Sequence, residues 1–128
     1  MRVISGSLKG KSIKFLKNLS TRPLKDAVKE NIFNILKHSN LINVKIEEAN
    51  ILDLYSGFGS FGIECISRGA KKVTFIEQDK DAASILKNNL TQLSIINKAK
   101  ILNDKIEKIL QNSGDEKFNI FFLILLLK

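Results

Sequence analysis

The stretch that most constrains the fold is ILDLYSGFGSFGIE, residues 51–64, in which a short apolar run leads into three glycines. Gly57, Gly59 and Gly62 have the spacing G-x-G-x-x-G between a predicted strand and a predicted helix. Glycines at this spacing let the backbone turn tightly after the strand and let a ligand approach it closely. The pattern therefore predicts a loop that binds a nucleoside-bearing ligand.

From residue 50 onward, strand patterns alternate with helix patterns. Strands are predicted at 50–55, 71–77, 98–103 and 118–127, and helices at 59–69, 79–93 and 104–110. Gly69 is placed to cap the first of these helices, and the second carries Ala82, Leu86, Leu90 and Leu93 on one face. This alternation predicts an α/β fold with a doubly wound, mainly parallel sheet of the Rossmann-like type.

The N-terminal segment has a different pattern and a different charge. Two short β-prone runs, 2–5 and 11–15, predict a hairpin around Gly6 and Gly10. Pro23 then stands near a predicted helix start, and the apolar residues that follow it have helical spacing (Leu24, Val28, Ile32, Ile35 and Leu36). We interpret residues 1–40 as a basic hairpin-and-helix extension and residues 41–128 as the core domain.

Charge is concentrated in that extension. Residues 1–38 carry nine basic and two acidic side chains, which accounts for seven of the eight net positive charges of the chain. Such a segment is expected where a protein contacts a polyanion. A solvated basic face that only aids solubility is an equal alternative on charge alone.

Other chemistry finds little support. Cys65 is the one cysteine and His38 the one histidine, so neither a disulfide nor a cluster of soft metal ligands is expected; we interpret Cys65 as a buried apolar residue and His38 as a helix-end residue. No N-terminal apolar run suggests a signal peptide, and the C-terminal apolar run is shorter than the about 20 residues that cross a bilayer. We expect a cytoplasmic protein with no membrane partner.

Two acidic residues narrow the choice of ligand. Glu77 ends the second strand, where a carboxylate can accept hydrogen bonds from ribose hydroxyls; a solvated strand end is the alternative. Asp53 lies four residues before the first glycine, where it would repel the pyrophosphate of a dinucleotide and attract the positive charges of S-adenosylmethionine (SAM). Asp53 also has a local alternative as an acceptor for loop amides.

The segments TRPLKDAVKENIFNIL and ILDLYSGFGSFGIECISRGAKKVTFIE resemble the RsmD family of bacterial small-subunit ribosomal RNA methyltransferases. The resemblance covers residues 2–123 and implies transfer of a methyl group from SAM to the N2 amine of a guanine. It also implies ribosomal RNA or the small ribosomal subunit as the partner, and we expect the full-length protein to be a monomer.

The resemblance assigns roles to individual residues. Asp53, Gly57 and Gly59, with Gly62 in the same loop, would surround the methionine end of SAM, and Glu77 would hold its ribose. Asp104 would contact the adenine, although a helix N-cap is an equal interpretation. Arg22 would clamp a phosphate or flipped base, with an ordinary surface arginine as the alternative. Further RNA contacts are expected from the basic extension (Arg2, Lys9, Lys11 and Lys14).

In that family the fourth strand ends in D-P-P and an aromatic residue, which orient the target amine. Here ILLLK follows Leu123, so the chain is interpreted as truncated at this motif and its catalytic residues are unknown. We hypothesise a frameshift: TTG ATC CTC CTT TTA AAA encodes Leu-Ile-Leu-Leu-Leu-Lys, and regrouping from the last base of the first codon encodes Asp-Pro-Pro-Phe-Lys. The nucleotide sequence of codons 118–128 tests this.

Two alternatives stay open on the residues alone. One is a catalytically inactive chain that binds SAM or RNA. The other is an oxidoreductase domain of the nicotinamide type, which the same glycine spacing permits.

Overall fold

The structure, a computed structural model, describes residues 1–16, 26–39, 45–54, 56–112 and 120–123. Every strand and helix predicted after residue 50 is present in the predicted order. The elements are α1 (Asp26–His38), β1 (Asn50–Leu54), α2 (Ser60–Ser67), β2 (Lys72–Ile76), α3 (Lys80–Gln92), a short 3₁₀ turn (Ile96–Lys98), β3 (Ala99–Leu102), α4 (Ile106–Asn112) and β4 (Ile120–Leu123).

The four strands form one parallel sheet in the order β3-β2-β1-β4. Leu54 stands opposite Ile76 and Leu123, and Ile76 stands opposite Leu102, so all four strands end at the same edge. The chain reverses its winding direction between β1 and β4, and ligands of open α/β sheets bind in the crevice at such a point. The predicted Rossmann-like α/β fold is confirmed.

The central helix α2 is buried along its whole length. Its glycine at position 62 faces the Phe75 ring of β2, and its Phe61 ring stacks on Phe33 of α1, with 5.1 Å between ring centroids. The helix therefore lies between the sheet and an outer layer. It ends as predicted, with Gly69 in the left-handed conformation at φ 106° and its N–H donating to the Ile66 carbonyl.

Residues 1–16, here called the N-terminal arm, form part of that outer layer. The chain turns back on itself through a single antiparallel bridge between Arg2 and Ser12, rather than through the two full strands of a regular hairpin. The reason is competition for backbone groups, because the N–H groups of Ile4 and Ser5 donate to the Glu64 carboxylate of α2 instead of to the opposite side of the turn. Val3 and Ile13 are buried in the same apolar cluster as the sheet.

Helix α1 forms where helical spacing predicts it, but the spacing does not identify its buried face. Lys29 and Phe33 are fully buried, whereas Val28 is 44% and Ile35 57% exposed. Lys29 Nζ lies 3.4 Å from Glu64 Oε1, so an ion pair accompanies the burial of this face. Pro23 and Leu24 lie outside the described residues.

Candidate functional site

The glycine loop leaves β1 at the edge where all the strands end. Ser56 N–H donates to the Ile76 carbonyl of β2 at 2.9 Å, and Gly59 N–H closes the turn onto the Ser56 carbonyl at 3.0 Å. Gly57 and Gly59 have φ values of 58° and 95°, a region that side chains disfavour. The loop is thus a tight turn at the crevice that the sheet topology marks as a ligand site.

Asp53 lies beneath this loop and is 2% exposed. Its Oδ2 atom accepts a hydrogen bond of 3.2 Å from Gly62 N–H, and the Ser56 hydroxyl donates to its backbone carbonyl at 2.7 Å. Burial raises the pKa of Asp53 to about 8, against the hydrogen bonds from Gly62 and Ser56, and the charge of Glu77 raises the pKa further. The carboxyl group is therefore mostly protonated near neutral pH and would be ionised by a bound cation.

Glu77 follows β2 and braces the loop from the side. Its Oε1 accepts from Gly57 N–H at 2.7 Å, and its Oε2 accepts from Asp79 N–H at 2.9 Å. The carboxylate is thus not a solvated strand end. Since each carboxylate oxygen has two lone-pair sites, Glu77 retains acceptor capacity for hydroxyl groups of a ligand.

Gly59 and Gly62 also have packing roles. A Cβ at Gly59 would lie 2.4 Å from Leu86 Cδ1, and one at Gly62 would lie 2.2 Å from Phe75 Cε1. Both glycines let neighbouring elements approach, whether or not a ligand is bound. A larger residue at either position would perturb the fold before it reported on binding.

Asp104 lies beyond β3, at the same edge of the sheet, but its carboxylate is used locally. Oδ1 accepts from Lys105 N–H at 2.8 Å and Oδ2 lies 3.2 Å from Lys108 Nζ. The Lys105 amide and then Lys108 lower the pKa of Asp104. The neighbouring residue Asn103 connects the ends of β2 and β3, because Asn103 Nδ2 donates to the Glu77 carbonyl at 2.7 Å.

The basic residues of the arm point outward. Lys9, Lys11 and Lys14 are exposed, and the exposed Arg2 side chain lies 3.8 Å from Asp26. Arg22 and the positions after Leu123 lie outside the described residues. Cys65 is buried, and burial raises the pKa of its thiol well above the usual value, which fits an inert apolar role.

Sequence patterns missed a buried polar network under the arm. Besides the two amides of the arm, Glu64 accepts a bond of 2.9 Å from Arg68 Nε and faces Lys29. Lys29 Nζ in turn donates to the Arg2 carbonyl at 2.8 Å and to Ser60 Oγ at 3.1 Å. The signal was present as a charged residue in the middle of an apolar helix, FGIECI, a position that requires a buried partner.

None of the helices in the described parts of the chain is long and apolar enough to cross a membrane.

Comparisons with known proteins relate this chain to a protein family and to a solved fold. A family model described as "Conserved hypothetical protein 95" matches residues 1–124. "Putative rRNA methyltransferase YlbH" of Bacillus subtilis is 40% identical over 86% of this chain and 56% of its own length. "Ribosomal RNA small subunit methyltransferase D" of Haemophilus influenzae is 36% identical over 96% and 62%, respectively. This chain therefore spans about 56–62% of the length of these two relatives.

Among solved structures, an Escherichia coli protein described as "Putative methyltransferase yhhF" superposes with a TM-score of 0.80 at 29% identity. The superposition covers 96% of this chain and 62% of the other. The match extends over the arm as well as the sheet, since so little of this chain is left out.

Proposed function

This chain belongs to the family described as conserved hypothetical protein 95, the RsmD family, and on that premise we propose that it carries the cofactor site of a SAM-dependent methyltransferase. The proposed substrate is small-subunit ribosomal RNA, and the proposed target atom is the exocyclic N2 of a guanine. The cytoplasm is the proposed compartment.

The observation that carries the proposal is the buried carboxyl group of Asp53 beneath the glycine loop. A nearby cation would stabilise the ionised form of a carboxyl group whose pKa is about 8. SAM brings two such cations, an ammonium and a sulfonium. A dinucleotide brings a pyrophosphate, which the Glu77 carboxylate would repel and which cannot stabilise an ionised Asp53 as a cation can. The donor set therefore fits SAM better than it fits NAD.

Different residues would hold different parts of the cofactor. Asp53 and the loop at Gly57 and Gly59 would hold its positively charged end, and Glu77 would accept from the ribose hydroxyls while still bracing the loop. Asp104 and Asn103 stand at the edge proposed for the adenine. When bound, SAM supplies a methyl group on sulfonium, an electrophile that the chain itself lacks.

RNA binding is assigned to the outward face of the arm. Lys9, Lys11 and Lys14 would contact phosphates, and we keep Arg22 as a proposed contact near the target base. Phosphate contacts of this kind give affinity without sequence selectivity. The choice of guanine would rest with other parts of the protein.

A second candidate is a chain that binds SAM or RNA without methyl transfer. It is favoured by one feature, the sequence ILLLK at positions 124–128, where relatives of the RsmD type are expected to carry D-P-P and an aromatic residue. A methylation assay separates the two candidates. Transfer of labelled methyl groups to naked small-subunit RNA or assembled small subunits supports the enzyme, and binding without transfer supports the second candidate.

Calorimetry with SAM and with NAD tests the cofactor assignment. We expect SAM to bind and NAD not to bind. Glu77→Gln should weaken SAM binding about 10- to 150-fold, because charge-assisted bonds are worth about 1.5–3 kcal/mol, and exposed Glu107→Gln is the matched control. Binding of NAD without binding of SAM would overturn the assignment in favour of an oxidoreductase.

A further inference from the structure

Asn89 is a polar residue on the buried, mainly apolar face of α3. It is 2% exposed, between the buried Leu86 and Leu90 on the same helix. Its Oδ1 accepts from Lys14 N–H at 2.9 Å. Its Nδ2 donates to two carbonyl groups, those of Lys14 and Phe58, each at 3.0 Å. One side chain thus joins the N-terminal arm to the glycine loop.

Phe58 stands between the two glycines that make the loop turn. Asn89 holds its carbonyl group, while Glu77 holds the preceding residue through Gly57 N–H at 2.7 Å. The Phe15 ring of the arm also contacts the Phe58 ring, with 6.5 Å between centroids. The loop is therefore fixed from one side by the end of β2 and from the other by α3 and the arm.

We propose that Asn89 is a positioning residue that keeps the cofactor loop aligned with the RNA-facing arm. This inference rests on the proposed function and goes beyond it, because it predicts that the two ligands help each other. When SAM fixes the glycine loop, it also fixes the Asn89 side chain, which is bonded to the loop at Phe58. Asn89 then holds Lys14 in place, so the arm is ordered before RNA binds. By thermodynamic linkage, RNA must raise the affinity for SAM by the same factor.

A purely structural asparagine would satisfy the same three backbone groups without coupling the ligands. Asn89→Asp separates the roles. It keeps an acceptor for Lys14 N–H but turns a carboxylate toward the Lys14 and Phe58 carbonyls, which removes both donated bonds. Exposed Asn88→Asp on the same helix introduces the same charge as a matched control.

The test measures the SAM dissociation constant with and without a transcript of small-subunit ribosomal RNA. We expect the transcript to tighten SAM binding at least about fivefold in the unchanged chain and in Asn88→Asp, as is usual for coupled sites. In Asn89→Asp the factor should fall close to one while each ligand alone still binds. Independent binding in the unchanged chain, or an unreduced factor in folded Asn89→Asp, overturns the proposal.

Hydrogen exchange gives a second measurement on the unchanged chain, which does not depend on a variant folding. SAM alone should slow exchange of the Lys14 amide, which donates to Asn89, and an unaltered rate would overturn the proposal. If the unchanged chain binds neither SAM nor the transcript, the proposed function fails as well. If both bind but bind independently, only the role of Asn89 fails.

Discussion

Two buried carboxyl groups, eleven residues apart, show how the same chemical group serves different ends. Glu64 lies under the arm with Lys29 and Arg68 as charged partners and two arm amides as donors. Asp53 lies under the glycine loop. Burial and the charge of Glu77 both disfavour its ionised form, and a 3.2 Å hydrogen bond from Gly62 offsets only part of this effect. A buried carboxylate with cations beside it holds a fold together, whereas one at a ligand crevice, lacking such compensation, is suited to a cationic ligand.

Removal of the paired carboxylate of Glu64 should cause a large loss of stability. Glu64→Gln leaves the buried Lys29 ammonium without its counter-charge, so we expect the free energy of unfolding to fall by about 3–5 kcal/mol. Urea denaturation measures it, with exposed Glu107→Gln as the control. The double variant Lys29→Met with Glu64→Gln should recover part of the loss, and no recovery would contradict the assigned pairing.

At Asp53, in contrast, we expect the buried carboxyl group to lower the free energy of unfolding as the pH rises. Its pKa rises from the ordinary aspartate value of 3.8 to about 8 in the fold, so the folded state binds the proton more tightly than an unfolded chain does. Its contribution to the free energy of unfolding therefore falls as pH increases from about 4 to about 8 and is constant above that. Asp53→Asn should flatten this decline and should cost little stability at pH 8. An equal or steeper decline in Asp53→Asn would contradict the raised pKa.

How far sequence leads can be judged from the same two places. The strand β1, in which Asp53 lies, and the glycine loop could be located from the sequence because apolar runs and glycine spacing are local signals. The partnership of Lys29 with Glu64 was not, because it joins residues 35 positions apart and depends on α1 packing over α2. For the same reason helical spacing predicted α1 but did not show that Val28 is exposed while Lys29 is buried.

Roles as well as contacts were hard to predict from sequence. The spacing of Gly59 and Gly62 suggested ligand approach, yet the space that each leaves is filled by Leu86 and Phe75, which only the packed structure reveals. The role of Asn89 could not be predicted from sequence, since a single polar residue on an apolar helix face does not show which groups it contacts. Its partners lie 75 and 31 residues away.

The outward face of the arm carries exposed lysines, whereas its inner face is bonded to Glu64. Changes to these lysines should have a small effect. Replacing Lys9, Lys11 and Lys14 with glutamine should lower the slope of log affinity against log salt by about one for each lost phosphate contact, and leave SAM affinity and stability unchanged. Filter binding to a small-subunit RNA transcript at several salt concentrations measures the slope. The same change at exposed Lys71, Lys72 and Lys87 is the control, and equal slopes in both triple variants would make the arm only a solvated basic face.

Proton release on SAM binding is a direct test of the role of Asp53 in cofactor binding. Calorimetry at pH 7 in two buffers of different ionisation enthalpy counts the protons that leave when SAM binds. With a pKa of about 8 in the ligand-free chain, a cation that fully ionises Asp53 should release about 0.9 proton, and Asp53→Asn should release almost none and bind SAM more weakly. SAM binding without proton release in the unchanged chain, or equal release from Asp53→Asn, would contradict the assignment of Asp53 to the cofactor.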